Sequence, residues 1–315
     1  MGNEGERTNQ RTVVVVPCYN EEPTIGKVIA DFRHELPGAD VIVIDNNSTD
    51  ASSAIAEKAG ATVLHEKRQG KGYVVRSMFD WIDADVYIMV DGDDTYAAKD
   101  VHKLMEPVLN DDADMVVGSR LEELTGESMN ALHRFGNRLL LAIIRLTFRV
   151  RLKDMLSGYR VMNRTFVQGV PTLSAGFEIE TEISIQAMER GMRIRELPIE
   201  YRARPEGSTS KLRPFRDGTR ILSTIMSIFR DYRPLAFFSS IAGVIFLVAL
   251  IIGGVVIADY IESGIVRRLP LAVLSTSLAI LSFLVLITGF IVGTINRRFS
   301  EMHVLLSRQF RGKSK

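Results

Sequence analysis

Two stretches toward the carboxyl end, Pro234 to Ala258 and Leu269 to Asn296, contain no charged residue. Each meets or exceeds the ~20 apolar residues that a helix needs to cross a hydrocarbon layer of about 30 Å. Both are therefore expected to span a membrane rather than fill a globular core. The connector between them, Asp259 to Arg268, carries Tyr260, Glu262, Gly264 and Arg267. That composition suits a tight helical hairpin, which puts both ends of the chain on one side.

The charges flanking the spans choose that side. Arg213, Arg216, Arg220, Arg230 and Arg233 precede the first span, Arg297, Arg298, Arg308, Arg311, Lys313 and Lys315 follow the second, and the connector is balanced. Excess Lys and Arg stays on the cytoplasmic face, so both ends are expected there. Met1 to Arg11 is polar and Val13 to Val16 is too short for a secretory signal, which keeps the large amino-terminal domain cytoplasmic as well. A net charge of +1 argues against a nucleic-acid partner. The arginines beside the spans fit anionic lipid headgroups instead. Arg213 to Tyr232 alternates Phe215, Ile221, Leu222, Ile225 and Phe229 with arginines, the pattern of an interfacial helix or of one packed on the domain. The single cysteine, Cys18, excludes an intramolecular disulfide.

From Met1 to about Asp231 the composition is that of a soluble domain. Val13 to Pro17, Val41 to Asp45, Thr62 to Leu64, Val86 to Val90 and Met115 to Val117 are short β-branched apolar runs, separated by helical stretches such as Thr24 to Glu35. That alternation predicts an α/β fold, a mostly parallel sheet with helices on both faces. Ligands of such sheets lie beyond the carboxyl ends of the strands. Those ends are polar here: Pro17-Cys18-Tyr19-Asn20-Glu21-Glu22, Asp45-Asn46-Asn47-Ser48-Thr49-Asp50 and Asp91-Gly92-Asp93-Asp94. Asn and Asp also form ordinary turns, so position is what marks these residues. Asp91 and Asp93 set two carboxylates side by side after a strand, a donor set for Mg²⁺ or Mn²⁺ that leaves room for diphosphate oxygens. Asp45 would accept hydrogen bonds from a base or ribose, over a floor shaped by Pro17 to Glu22. Arg68-Gln69-Gly70-Lys71-Gly72-Tyr73 is a glycine-flexible loop with two cations, suited to a diphosphate, although it lacks the phosphate-loop spacing.

Val-Val-Pro-Cys-Tyr-Asn-Glu-Glu, Asp-Asn-Asn-Ser-Thr-Asp, Arg-Gln-Gly-Lys-Gly, Asp-Gly-Asp-Asp-Thr-Tyr, Gly118-Ser119-Arg120 and Ser157-Gly158-Tyr159-Arg160 follow one another in that order. Together they resemble family-2 glycosyltransferases. More narrowly, they resemble the dolichol-phosphate mannose synthases and bacterial polyprenyl-phosphate glycosyltransferases, over Thr12 to about Asp217. The resemblance implies a GT-A domain over residues 12–212, after a flexible start at 1–11. Amphipathic interfacial helices would occupy 213–233, a transmembrane hairpin 234–296 and a basic tail 297–315. It implies a nucleotide-sugar pocket from Pro17, Tyr19, Asn20, Glu22, Asp45, Lys71, Asp91 and Gly92, with Asp91 and Asp93 as the metal and donor pair. Asp154 matches an acid with a catalytic or sugar-orienting role. Arg120, Arg134, Arg160, Arg204 and Lys211 match the region relatives use for phosphate. In Gly176 to Glu182, Glu178 is expected to face the cleft, with Glu180 and Glu182 on the helix surface. Pro205 to Lys211 resembles the stretch that closes over donor and acceptor.

A polyprenyl phosphate is already anionic near neutral pH, since a phosphate monoester's second pKa is about 6. Direct inverting attack on the anomeric carbon therefore needs little general-base help. The expected activity is hexose transfer from UDP-glucose or UDP-N-acetylglucosamine to undecaprenyl phosphate, giving a lipid-linked sugar for envelope glycans. Asn46 stands where the mannose synthases usually carry a second acid. A GDP-mannose enzyme and a silent nucleotide-sugar-binding membrane protein remain alternatives. A processive polysaccharide synthase is disfavoured, because Trp81 is the only tryptophan and no Gln-x-x-Arg-Trp is present. Gly243, Gly253 and Gly254 are small enough to pack paired hairpins in a homo-oligomer.

Overall fold

A computed structural model describes residues 10–120, 154–172, 174–176, 178–202, 223, 226–227 and 229–311. The chain divides into two compact units, Met1–Ile221 and Leu222–Lys315. Arg134, Arg204, Lys211, Phe177, the first nine residues, the Pro205 to Lys211 stretch, most of the 213–233 segment and the end of the tail lie outside the described residues.

The first unit alternates strands and helices as the apolar runs require. Its order is β1 (Thr12–Cys18), α1 (Ile25–Glu35), β2 (Asp40–Asp45), α2 (Ser52–Lys58), β3 (Thr62–His65), α3 (Lys71–Trp81), β4 (Val86–Met89), α4 (Val101–Leu109) and β5 (Met115–Ser119). There follow β6 (Arg160–Asn163), α5 (Arg164–Gly169), α6 (Ile179–Glu189) and β7 (Ile194–Pro198). The seven strands form one sheet in the order β3-β2-β1-β4-β6-β5-β7. Every neighbouring pair is parallel except those involving β6, which runs against both β4 and β5.

Period-two alternation serves two cores at once. Val14, Val16 and Cys18 of β1 point to the side covered by Ile25, Val28, Ile29 and Phe32 of α1 and by Val101 and Leu104 of α4. Val13 and Val15 point to the other side, against Val74, Val75 and Met78 of α3, Phe166 of α5 and Ile183 of α6. A strand buried on both faces reads as an unbroken apolar run, which is why Val13 to Val16 carries no polar residue. Each such buried side chain contributes roughly 1.5–3 kcal/mol.

The second unit contains α7 (Pro234–Ser263) and α8 (Leu269–Arg311). Two stretches, Pro234–Ser263 and Leu269–Phe299, with mean hydropathies of 3.0 and 2.6, are long and apolar enough to cross a membrane. Leu247, Ile251, Ile257, Phe283, Leu284 and Ile291 stand exposed along them, a surface that water does not tolerate at this extent and lipid does. Both helices outrun their charge-free stretches. Charge does not end a helix: α7 stops at Gly264, which takes the left-handed conformation at φ 71°, and no Gly or Pro interrupts 294–311. The seam between the helices uses small residues and hydroxyls. Ser282 Oγ donates to the Ala242 carbonyl and Ser275 Oγ to the Ala249 carbonyl, both at 2.9 Å. Gly253 lies in that seam against Ser275, whereas Gly243 and Gly254 face open space. Of the three glycines expected to pack hairpin against hairpin, one is therefore used within a single hairpin.

Candidate active site at the carboxyl edge of the sheet

Six strands end on one edge, and the antiparallel β6 begins there. Arg160 pairs with Met89 of β4 and Val117 of β5. This reversal carries the segment from Asp154 to Tyr159 to the carboxyl ends of its neighbours, beside Asp91 and Arg120.

The loops after β1 and β2 are laced together. Asn20, at φ 52°, donates its backbone N–H to Ser48 Oγ at 2.9 Å and accepts from Thr49 N at 2.7 Å through its side-chain oxygen. The Glu22 carboxylate accepts from Ala51 N at 3.0 Å, and Glu22 N donates to Asp50 at 3.2 Å. Asp45 is buried, accepts from Ser48 N at 3.2 Å, and lies 3.5 Å from His65 Nδ1. Pro17 pairs with Ile44 across the strands, and Tyr19 is partly exposed at the rim. Asn20 and Glu22 thus brace the two loops against each other. Burial pushes the Cys18 thiol up to about 12, which leaves it un-ionised and inert.

The loop from Glu66 to Gly70 is held by two buried side chains. Asn46 donates to the Glu66 carbonyl at 2.9 Å and the Arg68 carbonyl at 2.7 Å, and accepts from Gly70 N at 2.7 Å and Gln69 Nε2 at 3.4 Å. The Glu66 carboxylate takes a forked pair of bonds from Arg68 at 3.0 and 2.8 Å, and also accepts from Ser77. All four bonds of the Asn46 side chain therefore go to this loop.

That loop delivers Lys71. Gly70 sits at φ 138°, and a side chain there would strike the Ala175 carbonyl; only glycine takes that conformation without strain. Lys71 Nζ then lies 2.5 Å from Asp91 Oδ1 and 2.6 Å from Glu180 Oε1. Burial works against its charge, but the two carboxylates raise its pKa above the ordinary lysine value.

Asp91 and Asp93 leave β4 through Gly92, whose carbonyl accepts from Thr24 Oγ1 at 2.6 Å. The Asp91 carboxylate lies over Gly158, in space that a Cβ there would fill. Asp93 is 4% exposed and accepts from Thr95 Oγ1 at 2.6 Å and Thr95 N at 3.2 Å. Among the described residues no group of three His, Cys, Asp or Glu side chains is placed to hold an ion unaided. Two hard carboxylates are the donor set for an ion that takes its remaining ligands from phosphate and water, and Asp91 and Asp93 could hold Mg²⁺ or Mn²⁺ in that way.

On the far side of Gly158, Arg120 forks onto Asp154 with Nε 2.8 Å and Nη2 2.9 Å from its oxygens. Arg120 N and Leu156 N donate to the same carboxylate at 3.1 and 3.3 Å, and the Glu196 carboxylate accepts from Asp154 N at 2.6 Å. Burial alone would raise the Asp154 carboxyl, but the bonds from Arg120 hold it below the usual range. Tyr96 accepts from Gly158 N at 3.0 Å, and burial pushes its hydroxyl up to about 12.

Two expectations need correction. Arg160 does not face an acceptor phosphate: it is 0% exposed and donates to the Ser157 carbonyl at 2.9 Å, the Met155 carbonyl at 2.8 Å and Ser184 Oγ at 2.8 Å. It ties the Asp154 to Tyr159 segment to α6. Glu180 and Glu182 are not on a helix surface: they are 3% and 4% exposed, Glu180 reaches Lys71 and Glu182 accepts from Ser174 N at 2.6 Å, while Glu178 accepts from Gly176 N at 3.1 Å. Residues Ile179 to Ala187 are all buried, so no amphipathic pattern distinguishes the inward acid. Glu196 and Tyr96 were also not foreseen. The Asp-Gly-Asp-Asp-Thr-Tyr motif carried Tyr96 without assigning it a role, and nothing local marked Glu196.

A sheet of this order with an acid-bearing carboxyl edge defines a GT-A-type transferase domain, here in a chain with two membrane-length helices. The glycosyl transferase family 2 model matches residues 13–169. Glycosyltransferase AglJ of Haloferax volcanii is 37% identical over 235 residues, covering 74% of this chain and 77% of that protein. The chain therefore belongs to glycosyl transferase family 2. The dolichyl-phosphate hexose transferase of the same organism is 31% identical over 229 residues, 72% of this chain and 98% of its own length. The fold matches crystalline glucosyl-3-phosphoglycerate synthase of Mycobacterium tuberculosis, with Mn²⁺, UDP-glucose and phosphoglyceric acid bound, at a TM-score of 0.59 and 23% identity over 72% of this chain and 82% of that one.

Proposed function

We propose that this protein transfers a hexose from a nucleotide-sugar, UDP-glucose or UDP-N-acetylglucosamine, to a polyprenyl phosphate such as undecaprenyl phosphate. The observation that carries the reading is the convergence of Asp91, Asp93, Lys71 and Arg120 on one sheet edge, in a chain that also bears two membrane-length helices. The kinship with a dolichyl-phosphate hexose transferase supports the acceptor class. A uridine donor rests on the fold neighbour crystallised with UDP-glucose. The alternative donor, GDP-mannose, is kept by a polyprenol monophosphomannose synthase of Mycolicibacterium smegmatis, 26% identical over 219 residues.

In this reading Pro17, Tyr19, Asn20, Glu22, Asp45 and Gly92 form the nucleotide wall, and Lys71 faces the diphosphate. A divalent ion on Asp91 and Asp93 would offset charge on the leaving diphosphate. Asp154 is saturated with donors and held ionised, so it orients Arg120 rather than removing a proton. The acceptor is already an anion and attacks directly with inversion, while the protein supplies placement and charge stabilisation. Arg120 is the described candidate for the acceptor phosphate; Arg134, Arg204 and Lys211 are further candidates from the sequence. With Arg230, Arg233, Arg297 and Arg298 at the outer ends of the two helices, the domain and both termini lie in the cytoplasm. Transfer of labelled sugar from each nucleotide-sugar to undecaprenyl phosphate tests the reading. Lipid-linked product from a uridine donor supports it, and product from GDP-mannose alone moves the assignment to a mannose synthase.

A further inference from the structure

Lys71 has a fixed backbone and a movable charge. Its amide segment is gripped on both sides: Asn46 accepts from Gly70 N at 2.7 Å, and Gly72 N donates to the Ala175 carbonyl at 3.0 Å. Side chains at Gly70 and Gly72 would strike the carbonyls of Ala175 and Ser174, so this turn has no slack. The four-carbon stem beyond it is flexible by nature. Its ammonium reaches two acids on different elements. Glu180 is buried on α6, with Ser184 Oγ donating to its carbonyl at 2.8 Å. Asp91 is the more exposed partner, at 27% of its side chain against 4% for Glu180.

Resting on the nucleotide-sugar reading above, we propose that the Lys71 ammonium keeps the divalent cation's place on Asp91 before donor binds, then pivots on Glu180 to the donor diphosphate. An ammonium 2.5 Å from Asp91 Oδ1 screens the carboxylate that the cation must take at about 2.1 Å. The two positive charges repel at that range, so cation binding displaces the ammonium. Glu180, held inside the protein, keeps the displaced ammonium within the cleft instead of releasing it to water. The incoming diphosphate supplies the anion it needs, which makes cation and donor binding mutually reinforcing. Glu180 is thus a positioning residue for Lys71. It also explains why a buried helix spends an acid where an apolar residue would pack.

The test uses the full chain in detergent at fixed pH and ionic strength, with free Mn²⁺ followed by electron paramagnetic resonance and UDP binding by calorimetry. Lys71→Met removes the competing charge, so Mn²⁺ alone is expected to bind at least threefold tighter, while UDP in saturating Mn²⁺ binds at least tenfold weaker. A purely structural lysine would weaken both, and that result overturns the proposal. Wild-type chain provides a second measurement that needs no variant to fold. Labelling of Lys71 by an amine-reactive succinimidyl ester, read by peptide mass spectrometry, should rise with Mn²⁺ alone and fall again when UDP is added. Labelling unchanged by Mn²⁺ refutes the pivot. Wild-type chain that binds neither Mn²⁺ nor UDP would instead remove the nucleotide-sugar reading itself, and the pivot with it.

Discussion

Replacing Asn46 tests how the site is built, because Asn46 is one of the two buried side chains that hold the Glu66 to Gly70 loop. Asn46 makes four hydrogen bonds to that loop, from 2.7 to 3.4 Å, and it is buried. At a net ~0.5–1.5 kcal/mol each, with the longest worth least, Asn46→Ala should cost about 2–4 kcal/mol. For a domain of about 200 residues each kcal/mol shifts Tm by roughly 2–4 °C, so a fall of about 4–16 °C is expected. Asn46→Asp should be worse at neutral pH despite its similar size. A carboxylate oxygen would replace the amide nitrogen that now sits 2.9 and 2.7 Å from two carbonyl oxygens. Burial beside those oxygens raises the new carboxyl's folded pKa above its unfolded value. The variant's stability is therefore fullest below about pH 4 and is lost as pH rises. Thermal unfolding of the full chain in detergent across pH 4 to 8, with UDP affinity measured in parallel, reads both effects. An Asn46→Ala protein that melts within about 1 °C of wild type and binds UDP equally would refute the grip.

The Glu66 carboxyl is held down at about 2 by the forked bonds from Arg68, against an ordinary 4.5. Its stabilisation is complete above pH 4.5 and is lost as pH falls toward 2. Discounted for the half-exposed Arg68, it amounts to about 2 kcal/mol, and Glu66→Gln should flatten the acid limb of the unfolding profile in that window. Gly158→Ala drives a methyl group into the Asp91 carboxylate, so sugar transfer should fall at least tenfold, or about 1.4 kcal/mol of barrier; full activity would show that Asp91 has no fixed position. Asp154→Ala strands the Arg120 charge and should cost about 3 kcal/mol of stability, with a simultaneous rise in the KM for polyprenyl phosphate if Arg120 receives the acceptor.

The sheet and the two long apolar helices were legible because each rests on a local pattern. Val13 to Val16 announces a strand buried on both faces, and Leu269 to Asn296 a helix long and apolar enough to cross a membrane, whatever surrounds them. The polar strand ends were legible for the same reason: Asp45, Asp91 and Asp93 follow apolar runs directly. What the sequence hid was decided by partners far along the chain. Arg160 reads as a phosphate ligand until β6 is seen to run antiparallel between β4 and β5, which buries it. Glu178 and Glu180 differ by one helical half-turn, and a helix apolar and polar on all sides gives no clue which one meets Lys71. Asn46 reads as a specificity position until its amide is seen to span 20 residues to Glu66 and 22 to Arg68. Helix ends were misjudged where charge was taken for a stop, as at Asp259 and Arg297, since glycine and proline end helices and charge does not.

The central claim is a cation-assisted sugar transfer to a lipid phosphate at the Asp91–Asp93 edge. Its most direct measurement is formation of lipid-linked sugar from labelled UDP-glucose and UDP-N-acetylglucosamine with undecaprenyl phosphate, with Mg²⁺ or with chelator, for wild-type chain and Asp93→Asn. The account predicts product from one of these donors, abolished by chelator and lowered at least a hundredfold in the variant. Undiminished product from Asp93→Asn would contradict the assigned site. Absence of lipid-linked product from every nucleotide-sugar, with UDP binding intact, would contradict the transferase reading in favour of a silent binding protein.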